Sequence, residues 1–357
     1  GTNLSATRVN ASQLIEKGRE NVFTYSNDFS NSAWNLKAGT FTQGVEDPNG
    51  GNTAWSWTAQ NTDPYIYQQL SVSGVYTLSI YAKGVGSTIG ANFQLRNAGL
   101  TPNFTLTNEW QRFEIYNIPS NSNLGFEFGN PAVVGDVVHI FAAQLELGLV
   151  ATPYIETGAT SAQAGILENT PRLDYSGGAT CPSLLLEPSR TNLISQSEYF
   201  GGWTLISNGT GSDPVLDFGY ISPGGLNNAY KITLDSGAGT ATSDESIIYL
   251  NKSGVTAGSE HTASVYLKGA VGGEEVIVRD TAGGYKKWTL TTEWARYEYT
   301  QTATATSYAT SFGLRQGLGG VGTINSNAVV YIYGFQSELG SYPTSYIPTY
   351  GVSQTRA

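Results

Sequence analysis

Methionine is missing from this sequence, cysteine occurs once and histidine twice. Each scarcity removes a class of chemistry. One thiol, Cys181, allows neither an intramolecular disulfide nor a thiolate-based zinc site. His139 and His261 fall at non-equivalent places in the repeat described below, and neither stands near a metal-ligand partner or a Gly-x-Ser-x-Gly turn. Without an initiator Met the chain reads as a fragment or processed product. Basic charge is scarce too: 18 Lys and Arg against 28 Asp and Glu give a net charge of −10. Duplex binding needs clustered cations that displace phosphate counterions, so nucleic acid is not an expected partner, and an anionic membrane surface is not one either. No run approaches the ~18 apolar residues of a spanning helix, and no signal peptide is visible. The Gly-rich run Gly317–Gly322 lacks the Lys-Ser/Thr of a phosphate loop.

What is abundant points to strands. The 357 residues include 43 Gly and 22 Tyr, with 7 Trp and only 13% charged side chains. Aromatic and β-branched residues suit a pleated, half-buried surface, and a chain of this length divides into two or three domains.

Internal repetition settles the organisation. Leu14-Ile15-Glu16-Lys17-Gly18-Arg19-Glu20-Asn21 matches Leu185-Leu186-Glu187-Pro188-Ser189-Arg190-Thr191-Asn192. Asn52-Thr53-Ala54-Trp55 matches Asn227-Asn228-Ala229-Tyr230, and Tyr76–Gly84 matches His261–Gly269. Thr105–Glu114, with Trp110 and Arg112, matches Thr289–Glu298, with Trp294 and Arg296. Each copy closes on Gln-x-Glu-Leu-Gly, at Gln144–Gly148 and Gln336–Gly340. Within a copy, short alternating segments are separated by Gly, Pro and Asn, as in a sandwich or barrel. Leu78, Ile80 and Ala82 share one face; Val138, Ile140 and Ala142 alternate with His139, Phe141 and Ala143. The expected fold is all-β, two tandem antiparallel β-sandwich (jelly-roll) domains: a connector over 1–20, a sandwich over 21–156, a linker over 157–191 that pairs with domain edges, and a second sandwich over 192–357. The one helix candidate is Ala11–Lys17.

Several strings resemble repeated modules of bacteriophage structural proteins, in head fibres and tail fibres. They are Asn21…Ser26-Asn27-Asp28-Phe29…Trp34, Pro171-Arg172-Leu173-Asp174-Tyr175…Leu184-Leu185-Leu186-Glu187…Arg190-Thr191-Asn192-Leu193, and Gln336-Ser337-Glu338-Leu339-Gly340…Thr344-Ser345-Tyr346-Ile347-Pro348. That family is similar to jelly-roll carbohydrate-binding modules, in which the outer face of one curved sheet holds a glycan. The resemblance implies a virion-surface, extracellular protein whose partners are glycans or polysaccharide, other virion proteins and, as a homo-oligomer, a trimer. It requires no cofactor; a structural Ca²⁺ is the one ion it offers, with Asn27, Asp28 and Glu198 in early-strand positions. Ca²⁺ takes six to eight oxygens, and no dense Asp-x-Asp loop is present.

For ligand contacts, the residues opposite the core stripes carry the chemistry sugars need: rings for pyranose CH faces, charged groups for hydroxyls. In the first copy these are Tyr81, Arg96, Glu127, His139 and Phe141, with Tyr65 and Tyr67 as further outward candidates. In the second they are Tyr266, Arg279, Arg315, Tyr331 and Tyr333. The bland alternative is that they only cover the sheet or an interface. Burying an indole contributes up to roughly 5 kcal/mol at ~25 cal/mol/Å². Trp34, Trp55, Trp110, Trp203, Tyr230 and Trp294 are therefore expected in the cores, with Trp57 also inward. Carboxylate pairs such as Glu109 with Glu114, Glu274 with Glu275, or Asp136 with Glu146 could serve glycoside hydrolysis only across a cleft of ~5–9 Å, which sequence does not place. No catalytic set is expected.

Overall fold

The structure, a computed structural model, describes residues 4–96, 103–118, 122–129, 131–168, 170–280 and 284–356. It forms two units, Arg19–Ala164 and, as one body, Gly1–Gly18 with Gly165–Ala357.

The first unit is a sandwich of two five-stranded antiparallel sheets. One, here the Tyr65 sheet, runs in the order Asn103–Thr105, Asn92–Arg96, Asn123–Phe128, Tyr65–Gln69, Asn35–Lys37. The other, the Tyr81 sheet, runs Gln111–Asn117, Tyr76–Val85, Val137–Leu147, Ala54–Ala59, Gly39–Val45. Period-two alternation turns Ile66, Phe93, Leu95, Phe126, Leu78, Ile80, Trp55 and Trp57 into the space between them, where they form one core with Phe23, Phe29 and Trp34.

The second unit repeats this plan. Its Arg279 sheet runs Lys286–Thr289, Glu275–Arg279, Tyr308–Arg315, Glu245–Lys252, Thr204–Asn208. Its Tyr266 sheet runs Ala295–Thr302, Glu260–Gly269, Asn327–Leu339, Ala229–Asp235, Ser212–Tyr220. Strand for strand, the order matches the first unit. Trp203, Tyr230, Phe200, Phe312 and Phe335 are buried in this second core.

The repeated sequence blocks turn out to be the latch that closes each sandwich. The Asn21 amide donates to the carbonyls of Ala143 and Ile155 and accepts from the N–H of Phe23 and Leu145. Asn192 does the same with Phe335, Ile347, Ile194 and Ser337. The closing Gln-x-Glu completes it: Gln144 donates to Glu146 and accepts from Ile155, while Glu146 takes the N–H and hydroxyl of Thr152. Gln336, Glu338, Ile347 and Thr344 repeat these bonds. A buried polar network is stable only when every member is satisfied, which explains why these letters recur together.

Two local expectations are corrected. Residues around Ala11–Lys17 form no helix: Asn10 Oδ1 accepts from the N–H of Ser12 and Leu14, closing a hairpin between Thr7–Val9 and Ile15–Lys17. Ala142 does not continue the inward stripe of Val138 and Ile140. A β-bulge between Phe141 and Gln144 gives Ala142 a φ of 59°, so Ala143 and Leu145 take the core side. At the matching place the second copy has Gly334 at φ 64°.

Candidate functional site

The outward residues separate onto different sheets. On the Tyr65 sheet, Tyr65 and Tyr67 stand side by side with ring centroids 5.7 Å apart. The Arg96 guanidinium lies 4.4 Å from the Tyr65 ring and is ion-paired with Glu127, itself only 4% exposed. Lys37 lies 4.8 Å from the same ring and 2.9 Å from Asp63. Gln94, hydrogen-bonded to Asn103, extends the polar rim. Between Tyr67 and Arg96 the register places Gly125, where a Cβ would meet the Ile66 carbonyl at 1.9 Å. Gly125 itself carries no side chain and is buried among its neighbours, with the two rings and the Arg96–Glu127 pair beside it. Sugar recognition asks for this combination: aromatic faces beside fixed donors and acceptors.

Tyr81, His139 and Phe141 are not part of it. They lie on the outer face of the Tyr81 sheet, where Phe141 is 7% exposed and packs at 6.1 Å from Tyr81 and 6.0 Å from Tyr154. Arg112, 5.5 Å from the Tyr81 ring, donates to the Thr152 carbonyl and Ser79 Oγ. Trp110 belongs here rather than in the core: it packs half-buried beside Phe141 and Ala142, with Lys83 at 5.1 Å and His139 at 6.4 Å. Burial and then Lys83 push the His139 pKa down, so the imidazole is neutral at pH 7. Trp294 is likewise outside the core, against Tyr266 and Ile15, with Lys268 at 5.7 Å. These tryptophans recur because each is part of a second, smaller apolar cluster on the outer sheet face.

In the second copy that outer face is covered. The hairpin Thr7–Lys17 lies on it, with Ile15 packed against Ala229, Tyr333 and Tyr346. Lys17 reaches Glu198 at 2.9 Å and also Tyr350. Glu198, a candidate calcium ligand, is wholly engaged: Tyr333 donates at 2.9 Å, Tyr346 at 3.2 Å and Asn228 at 3.0 Å. Burial first, then the Glu198 charge, holds the Tyr333 and Tyr346 phenols well above their ordinary value. Lys17 supplies the positive charge beside the buried Glu198 carboxylate. Asn27 accepts from the Ala142 N–H, and Asp28 caps Ser30. Among the described residues no three His, Cys, Asp or Glu side chains gather as metal ligands. Tyr333 is 2% exposed and Tyr266 packs against both it and Tyr346, while Tyr331 sits against Tyr220 and Lys268.

Arg279 and Arg315 lie on the opposite, Arg279 sheet, beside a residue that sequence reasoning missed. Tyr285 precedes a strand in a segment without periodicity, so no alternation marked it, yet both arginines hydrogen-bond its hydroxyl.

No family model matches the sequence, and no curated protein matches it. Solved structures do resemble it. The tandem of two CBM22 domains from Paenibacillus barcinonensis Xyn10C covers 90% of this chain and 97% of its own length, at 12% identity and a TM-score of 0.29. A carbohydrate-binding module described as CBM4 covers 42% of this chain and 94% of its own, at 17% identity and TM-score 0.29. The enzymatically active domain of bacteriophage CBA120 tailspike protein 4 covers 36% of this chain and 21% of its own, at 18% identity and TM-score 0.26.

Proposed function

We propose that the chain is a non-catalytic pair of carbohydrate-binding domains, and that the first copy holds a neutral glycan on the outer face of the Tyr65 sheet. The observation that carries this reading is the Tyr65–Tyr67 pair beside an arginine already neutralised by Glu127. Pyranose CH faces would pack on the rings while Arg96, Glu127 and Gln94 bond the hydroxyls. A virion-fibre setting, facing host or mucosal glycans outside the cell, rests on the sequence resemblance to phage modules. A glycan array with the full chain tests the reading: saturable binding abolished by Tyr65→Ala and Tyr67→Ala is expected, and binding indifferent to both would refute it.

A second reading, a structural fibre segment, is favoured by a separate observation. The outer face of the Tyr266 sheet is used for packing within the protein, and the equivalent face around Tyr81, Phe141 and Trp110 has the apolar character to pack in the same way. Mass measurement in solution distinguishes it, since that reading requires a stable oligomer.

A further inference from the structure

We propose that the outer face of the Arg279 sheet takes acidic saccharides, Arg279 and Arg315 together receiving the carboxylate of a uronic-acid residue. The proposal rests on the glycan reading above and assigns the second copy its ligand class. The two guanidinium groups come from adjacent strands and converge on one phenol: Arg315 Nη1 donates to Tyr285 Oη at 2.9 Å, Arg279 Nη1 at 3.3 Å. Both also sit against the Tyr285 ring, at 5.8 and 5.2 Å, and Tyr308 lies 4.6 Å from Arg279. One neutral hydroxyl cannot offset two positive charges. Arg315 has Glu245 at 3.2 Å, but Arg279 has no carboxylate within ion-pair distance among the described residues, and its Nε is buried without an acceptor. Lys287, one strand over, is matched by Glu275 at 2.8 Å.

Two like charges sharing one acceptor repel, and a half-buried setting screens that repulsion less than open water does. An anion bound at the outward edges of the two guanidinium groups removes the repulsion. A carboxylate fits best, because its two oxygens match the planar guanidinium fork. The saccharide part of the assignment comes from the rings: Tyr285, Tyr308 and, in register with Ser311 on the same face, Tyr249. Gly313 lies in register between Ile247 and Ile277, and all three are buried, so the polar and aromatic side chains lie around an apolar centre. This local excess of positive charge runs against a chain whose net charge is −10, so composition alone does not produce it.

Isothermal titration of the full chain with galacturonate, glucuronate-containing and alginate oligosaccharides tests the idea, with the methyl-esterified galacturonate as the uncharged control. At least one acid form is expected to bind saturably, to weaken at least tenfold on esterification or with Arg279→Gln, and to weaken with added salt. Arg279 loses no ion pair in that variant, and an unchanged melting temperature would show that the fold is retained. Failure of all three acids to bind, equal binding of acid and ester, or an Arg279→Gln protein that binds as the parent does would each overturn the proposal. So would tighter binding of a matched sulfated oligosaccharide, which would reassign the anion. Tyr65-dependent binding of neutral glycans, measured alongside, would leave the broader reading standing when this one fails; loss of both would end both.

Discussion

The two copies share a strand order, a latch and a bulge, and differ in what lies outside their sheets. In the first copy the arginine of the candidate ligand face, Arg96, is neutralised by Glu127. In the second, Arg279 and Arg315 crowd one tyrosine, and among the described residues only Arg315 is paired with a carboxylate, Glu245. The opposite faces differ as well. The Tyr266 sheet is roofed by the Thr7–Lys17 hairpin, and the Lys17–Glu198 pair fixes that roof. The Tyr81 sheet has Asn27 where Glu198 would be, and Asn27 is bonded to Ala142 instead. Duplication therefore preserved the closing network, where every polar atom depends on another, and released the outer faces, where one substitution disturbs few neighbours.

The comparison can be broken at four points, taken from the largest expected effect. Trp57→Ala empties a fully buried site in the first core and should destabilise that unit by about 3–5 kcal/mol. In calorimetry only one of two transitions should move; a joint shift would deny the copies separate cores. Lys17→Met leaves the Glu198 carboxylate buried without its cation, at a cost of about 3 kcal/mol. Denaturant unfolding of the second unit reads it, and a change below about 0.5 kcal/mol would mean that the hairpin is no part of that unit's fold.

Tyr65→Ala should weaken neutral-glycan binding at least tenfold, about 1.4 kcal/mol, while Tyr81→Ala leaves it within twofold. The reverse pattern would move the ligand to the other sheet. The smallest effect is acid sensitivity. Burial favours protonation of Glu187, but the Ser345 hydroxyl and N–H, then Arg356 and Arg172, outweigh it and hold the carboxyl below its ordinary 4.5. A carboxyl depressed in the folded state adds stability that is complete above about pH 4.5 and is lost as pH falls through the depressed value. Glu187→Gln should flatten that part of the acid limb; an unaltered limb would discard the assignment.

How much of this was legible depended on the kind of signal. Alternation around Leu78, Ile80 and Ala82 was readable because a strand with one buried face repeats every two residues. It fails at Ala142, where one extra residue in a bulge exchanges the faces; the one mark of it in the sequence is Gly334 at the matching place in the second copy. Recurrence and size, the only sequence clues to Trp110 and Trp294, point to the cores, yet both are half-buried beneath lysines on an outer face. Alternation also does not say which sheet a strand joins, so it groups Arg96 with Tyr81 although they face away on different layers. Tyr285 has no alternation around it to mark its direction, and the roofing hairpin is invisible in the sequence because its partners, such as Glu198, are distant in the chain.

By itself the sequence determined a duplicated all-β sandwich, because two copies of one pattern leave two chances to read each strand and each latch residue. Only the tertiary structure decided which outward residues meet. Side chains on neighbouring strands come together through sheet order and register, and these are set by contacts between segments tens of residues apart.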